Sequence, residues 1–324
     1  MKKVLLLSIG LLLFVFSAFT QVQLTQYFLD GTLYNPAFAG SQGAFCANIY
    51  GRQQWISLKD ENGNKISPLS VVFNLNAPIT TIHSGIGVNV VYNKAGFEQT
   101  IGLKVNYAYR IPLKNVKNSL GIGLAISLSS KSIDFSQLTL EQPNDPLLKI
   151  KQKESGFIPD FDFGIQYQQL KKIYMGLSGT NLLESYTDIG NVNYGQKRNF
   201  YLTGGYYIKL MEKQKKALYL IPSALVKSNL INVQFDISAR VEYNDLFWAG
   251  VSYRYQDAVA VLAGLNIEGF RIGASYDFTT SYLSQVSGGS AEIFLGYCFK
   301  IKSDHVHTVN PKVKLNSLYN TRYL

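Results

Sequence analysis

Three histidines, two cysteines and a scatter of carboxylates and cations are the residues whose chemistry could matter in this chain. Their spacing argues first against catalysis. Ser–His or Asp–His chemistry needs a histidine held beside a nucleophile or a carboxylate. His83 falls in a short turn between two alternating apolar runs, and His305 and His307 fall in a polar tail. None sits on a strand or a long loop. His305-x-His307 offers two ligands, fewer than a zinc site takes, and reads as a solvated pair. Gly85-Ile86-Gly87 and Gly121-Ile122-Gly123 look superficially like nucleotide loops. Neither precedes a helix and both lack the later glycine, so they read as small residues inside strands. No enzyme activity, metal or cofactor is expected.

The charged residues carry more information. Asp160, Asp162, Asp236 and Glu242, with Lys104, Arg110, Arg240 and Arg271, all occupy the polar places of alternating runs. A strand sends successive side chains to opposite faces, so these charges gather on one face of the sheet the runs make. They could line a selective pore or neutralise one another inside a filled barrel; the second is the favoured reading. The remaining basic residues are scattered over turns and tail, without interleaved aromatics on one face, which argues against nucleic acid.

The elements that position these residues are strands. Phe270, Ile272, Ala274, Tyr276 and Phe278 alternate with Arg271, Gly273, Ser275 and Asp277, and Ala291 to Phe299 alternate with Ser290, Glu292, Phe294, Gly296 and Cys298. The same period marks 45–52, 70–76, 85–90, 101–110, 120–129, 161–167, 173–178, 200–210, 218–226, 233–243, 247–255 and 259–267. This makes about 14 strands of roughly 9–12 residues, the length a tilted strand needs to cross a bilayer. Soluble strands are usually shorter. With the first strand running outward, the odd connections 57–68, 131–159, 181–197 and 279–289 are long, and the even ones 168–172, 243–246 and 268–270 are short. Outer-membrane barrels have that asymmetry, with both termini in the periplasm.

The chain has 324 residues, a formal net charge of +10, 16% charged residues and 13% aromatics, a composition neither disordered nor ordinarily helical. Lys2, Lys3, the apolar Val4–Phe16 and the small-residue stretch Ser17–Thr20 form a signal peptide, residues 1–20, with Gln21 as the first mature residue. Its removal takes Lys2 and Lys3 from the +10 and leaves +8. No later apolar run is long enough for a membrane helix. Residues 21–42 alternate poorly and form a bent segment before the barrel at 43–301; residues 302–324 make a basic periplasmic tail. The expected fold is therefore all-β, a transmembrane antiparallel barrel of about 14 strands with an N-terminal pre-barrel segment and a short C-terminal tail.

Cys46 lies near the start of the first strand and Cys298 near the end of the last, both with lumen parity. Closing the barrel makes these strands neighbours, which would permit a disulfide in an oxidising compartment. Strand stagger could equally hold the two Cα atoms more than about 7 Å apart.

Several short motifs, taken in order, resemble the PorP/SprF family of outer-membrane proteins of the type IX secretion and gliding machinery. They are Asn35-Pro36-Ala37-Phe38-Ala39-Gly40, Arg52-Gln53-Gln54-Trp55, Pro159-Asp160, Gly176-Leu177-Ser178 with Asn181-Leu182, Tyr253-Arg254, Leu262-Ala263-Gly264-Leu265, Tyr276-Asp277 and Gly289-Ser290-Ala291-Glu292-Ile293. The family's last motif has a His where this chain has Ala291. The resemblance implies a non-enzymatic barrel working with secreted surface proteins, often adhesins, through their C-terminal domains, and with periplasmic components of the machine. Tyr34, Asn35, Pro36, Ala37, Gly40, Arg52, Trp55, Asp160, Asp277 and Glu292 become the candidate partner or plug contacts. A 14-strand porin or transporter for small solutes is the alternative. A lumen plugged by residues 22–40 favours the first, although plugged barrels also transport. A soluble secreted sandwich is the third reading, and it fails if the protein stays with outer membranes after a carbonate wash.

Overall fold

In the computed structural model the alternation of the sequence becomes alternation of burial. The structure describes residues 23–60, 63, 65–113, 118–137, 152–213 and 216–299. The signal peptide, the tail 302–324 and its histidines lie outside the described residues. Ile101, Leu103, Val105, Tyr107 and Tyr109 are exposed while Asn106, Ala108 and Arg110 are buried. Ile122, Leu124, Ile126 and Leu128 continue the exposed apolar belt, with Ile126 71% open. A contiguous outer belt of this kind suits hydrocarbon rather than water.

The described residues form seventeen strands: β1 (Phe45–Gln53), β2 (Leu69–Ile79), β3 (Ser84–Ala95), β4 (Glu98–Pro112), β5 (Asn118–Asp134), β6 (Lys153–Gln169), β7 (Ile173–Thr180), β8 (Tyr186–Ile189), β9 (Val192–Gly195), β10 (Asn199–Tyr206), β11 (Ile208–Lys213), β12 (Lys216–Ser228), β13 (Val233–Tyr243), β14 (Phe247–Arg254), β15 (Ala258–Ile267), β16 (Phe270–Thr279) and β17 (Ser290–Phe299). Neighbours pair antiparallel, β10 pairs with both β7 and β12, and β1 pairs with β17. The sheet thus closes on itself with 14 strands around the ring. β11 continues β10 past an interruption at Tyr207 and pairs only with β12 among the described residues. No described helix is long and apolar enough to cross a membrane.

Two local features depart from the sequence expectation. β5 and β6 run to 17 residues each, so most of 131–134 and 153–159 is strand rather than loop. Their outer ends carry the polar Ser129, Ser130, Ser132, Ser155 and Glu154, so these strands outrun the apolar belt. The connection 181–198 is no simple loop, because β8 and β9 pair there as a separate hairpin. The long connections nevertheless all lie at one end and tight turns such as Glu268–Gly269 at the other.

The seam between first and last strand places Cys46 directly opposite Cys298, with Cα atoms 4.1 Å apart and the sulfurs joined as a disulfide. Intact mass spectrometry of the non-reduced protein is expected to show a species two hydrogens lighter than after reduction. Two alkylatable thiols in the untreated protein would contradict the seam as described.

Candidate functional site

The lumen is occupied by residues 23–44. This stretch bends into three single 3-10 turns, Tyr27–Leu29, Gly31–Leu33 and Pro36–Phe38, the last two started by polar cap residues. Asp30 accepts the Thr32 N–H at 2.9 Å and Asn35 accepts the Ala37 N–H at 2.9 Å. Each short acceptor ends an extended residue and starts a turn, and Pro36 follows with its φ already set. Gly40 leaves the last turn at φ +70°, a conformation that L side chains adopt at a cost.

The segment is fixed to the wall at its start by a charged clamp. Glu292 on β17 accepts the N–H of Thr25 at 2.7 Å and of Gln26 at 3.0 Å. The Thr25 hydroxyl donates to Asp277 on β16 at 2.8 Å. Arg52 on β1 bridges the two carboxylates, 2.6 Å from Asp277 and 3.4 Å from Glu292, and also donates to Thr25. Arg254 on β14 completes the cluster, 3.1 Å from Asp277 and 3.3 Å from Asp236. All these charged side chains are nearly inaccessible to water. Charge-assisted hydrogen bonds of this kind are roughly twice as strong as neutral ones.

Farther along, the segment touches almost every wall strand. The Tyr27 hydroxyl meets Ser238 on β13, and the Trp248 indole on β14 donates to Gln26. Thr32 joins a ladder of Asn48, Asn74 and Asn89 across β1, β2 and β3. Lys104 on β4 donates to the Leu33 carbonyl, and Ser178 on β7 donates to the Tyr34 carbonyl. Asn35 donates to the Ile165 carbonyl of β6. Arg110 donates to the carbonyls of Ala37 and Ala39, and Gly40 N–H to Asn76. Arg240 lies over the Phe28 ring, 4.0 Å from its centre. Burial pushes the Asp30 carboxyl above its ordinary range, against the lowering effect of Thr32 and Arg271. Burial likewise raises the Tyr34 phenol, whose oxygen accepts the Leu24 N–H.

The wall is carved to receive this segment. A Cβ on Gly123 would overlap the Pro36–Ala37 backbone, one on Gly85 the Ala39 carbonyl, and one on Gly164 the Asn35 side chain. The two glycine doublets of the sequence are thus half of a seat for 35–40.

Of the ten candidate residues, Arg52, Asp277 and Glu292 meet in the clamp, and Tyr34, Asn35, Pro36, Ala37 and Gly40 sit in the seat. Asp160 does neither: with Asp162 it accepts the N–H groups of Leu183 and Asn181 and fastens the turn after β7. Trp55 sits at the long-loop end, its N–H donated to Ser290, beside a cavity of about 510 Å³ above the segment. Thr25, Gln26, Arg254 and the asparagine ladder were not among the candidates. The wall members each occupy a lumen-facing place, and Arg254 also falls in the Tyr253-Arg254 motif.

Against known families, residues 16–297 match the one described as type IX secretion system membrane protein PorP/SprF. Among solved structures, the chain is similar to a Pseudomonas aeruginosa FadL homologue, at 12% identity over 84% of this chain and 96% of that one, with a TM-score of 0.44. It is similar to the TodX ΔS2S3 mutant, a monoaromatic hydrocarbon channel, at 10% identity over 84% and 94%, with a TM-score of 0.46. It is also similar to Acinetobacter baumannii Omp33, at 9% identity over 80% and 100%, with a TM-score of 0.42. No curated protein sequence matches the chain.

Removing one partner of a buried ion pair costs about 3–5 kcal/mol. Arg52→Met, which leaves Asp277 and Glu292 with one cation fewer, is therefore expected to lower the temperature at which the purified barrel loses its folded gel mobility. Gly123→Leu is expected to expose residues 23–44 to added protease while the barrel stays folded. Protection equal to the unmodified protein would refute the seat.

Proposed function

The chain belongs to the PorP/SprF family of type IX secretion system membrane proteins, and we propose that it supports secretion or surface attachment of specific exported proteins, adhesins among them, without catalysing a reaction. The observation that carries this reading is the occupied lumen. Although plugged barrels also transport, this one spends its inward charges on holding residues 24–40 across its section, which favours the secretion reading. The lumen charges neutralise one another and the segment, in line with a filled barrel rather than a selective pore.

The expected orientation puts the long-loop end at the cell surface and the tight turns in the periplasm. Cargo, through a C-terminal domain, would then meet the surface end. Periplasmic components of the secretion machine would meet the turns, the β11–β12 hairpin and the tail 302–324. Outer-membrane lipid covers the apolar belt.

Deleting the gene is expected to leave a particular surface protein unsecreted or unattached while permeability to small solutes stays the same. Normal display of all surface proteins would refute the proposal. The purified barrel in a planar bilayer is expected to give no steady conductance. A steady open-pore conductance would favour the small-solute transporter instead. Pull-down of the tagged protein from detergent, with mass spectrometry of what accompanies it, identifies the cargo.

A further inference from the structure

The cavity at the long-loop end is a well with the internal segment at its floor. Leu33 and Tyr34 of that segment and Tyr201 of β10 line it, and the segment is pinned there through the Leu33 and Tyr34 carbonyls. About 510 Å³ falls in the range of specific ligand sites, roughly 300–1,000 Å³.

Its wall is basic. Lys104, Lys131, Lys197 and Lys227 line it against a single carboxylate, Glu98. Lys131 pairs with Glu98 at 2.6 Å and lies over the Tyr194 ring, 3.9 Å from its centre. Lys104 is held at 2.7 Å from Asp162. Lys227 is 4% exposed, 6.0 Å from the centre of the Tyr201 ring, and Lys197 stands exposed at the rim. A concave site with low-dielectric walls focuses such a field and draws in anions.

The second observation concerns the backbone. Tyr194 and Gly195 of β9 line the same well. β9 pairs with β8 on one side and, among the described residues, with no strand on the other. An open edge presents N–H and C=O groups at strand spacing, the pattern an extended polypeptide matches and a sugar does not.

We propose that this well binds an extended acidic stretch of polypeptide, which adds to the β9 edge while its carboxylates meet Lys197, Lys227 and Lys131. The inference rests on the secretion reading and specifies the chemistry of the cargo contact. Lys197 at the rim steers, and the deeper lysines hold. Binding weakens as salt rises, most for the exposed lysine.

The test uses the full chain purified in detergent and a fluorescent decapeptide of alternating Glu and Thr. Comparators are the Lys/Thr decapeptide, the Glu/Thr peptide N-methylated at every second residue, and free glucuronate. The Glu/Thr peptide is expected to bind and the other two peptides are not. Lys227→Met combined with Lys197→Gln is expected to weaken binding by about tenfold or more. Lys59→Gln combined with Lys65→Gln, the same charge change at exposed positions outside the well, leaves it unchanged. No binding of the Glu/Thr peptide, equal binding of the Lys/Thr peptide, or equal effects of the two sets of substitutions would overturn the inference. Undiminished binding of the N-methylated peptide, or full displacement by glucuronate, would overturn the polypeptide as occupant. A surface protein that still depends on the gene while no peptide binds defeats this inference and leaves the secretion reading standing.

Discussion

In hydrocarbon an unpaired peptide N–H or C=O costs several kcal/mol, and there is no water to take its place. A sheet that crosses a membrane must therefore give every strand two partners. Here that requirement is met when β17 returns to β1, residue for residue from Phe45–Phe299 to Gln53–Ala291. The rest follows from closure. Side chains on the outward places must be apolar, as Leu103, Val105, Ile126 and Leu128 are. Those on the inward places are cut off from lipid and bulk water alike. Closure around 14 strands also leaves an interior too wide for the wall's own side chains to fill.

That interior is where the sequence spends its charges. An isolated buried ion is costly, so each inward cation needs an anion or several carbonyls. Arg52 and Arg254 find Asp277, Glu292 and Asp236 from other strands, while Arg110 finds the carbonyls of the internal segment. The segment in turn needs donors and acceptors for backbone that has no sheet to join. Wall and segment thus complete each other: the carboxylate of Glu292 serves two N–H groups that nothing else in the segment could satisfy.

How much of this was legible in the sequence divides along range. Alternation is local, so which side chains face inward could be read directly, from Cys46 to Cys298. The antiparallel ring followed, because consecutive strands pair with their neighbours. Lengths were less legible: β5 ends through Ser129-Ser130-Lys131-Ser132 and β6 begins Lys153-Glu154-Ser155-Gly156, stretches with little apolar alternation to mark them as strand. The β8–β9 hairpin is four residues a side and hides among turn-forming residues. The clamp joins Thr25 to residues 252 and 267 positions away; parity marked its wall members as inward, and nothing local said that they converge. Asp160 and Trp55 were picked by motif, and motif position does not distinguish a residue that shapes a turn from one that grips the segment.

The clamp also fixes an order of events. Its anchoring carboxylates, Asp277 and Glu292, belong to the last two strands, while the residues they grip precede the first. Residues 32–40 can fasten to β1–β7 early, but Thr25 and Gln26 have no carboxylate to grip them until the last two strands are in place. The strand that seals the cylinder, β17, is also the one that brings Glu292 to the segment, so closure and the grip on Thr25 and Gln26 arrive together.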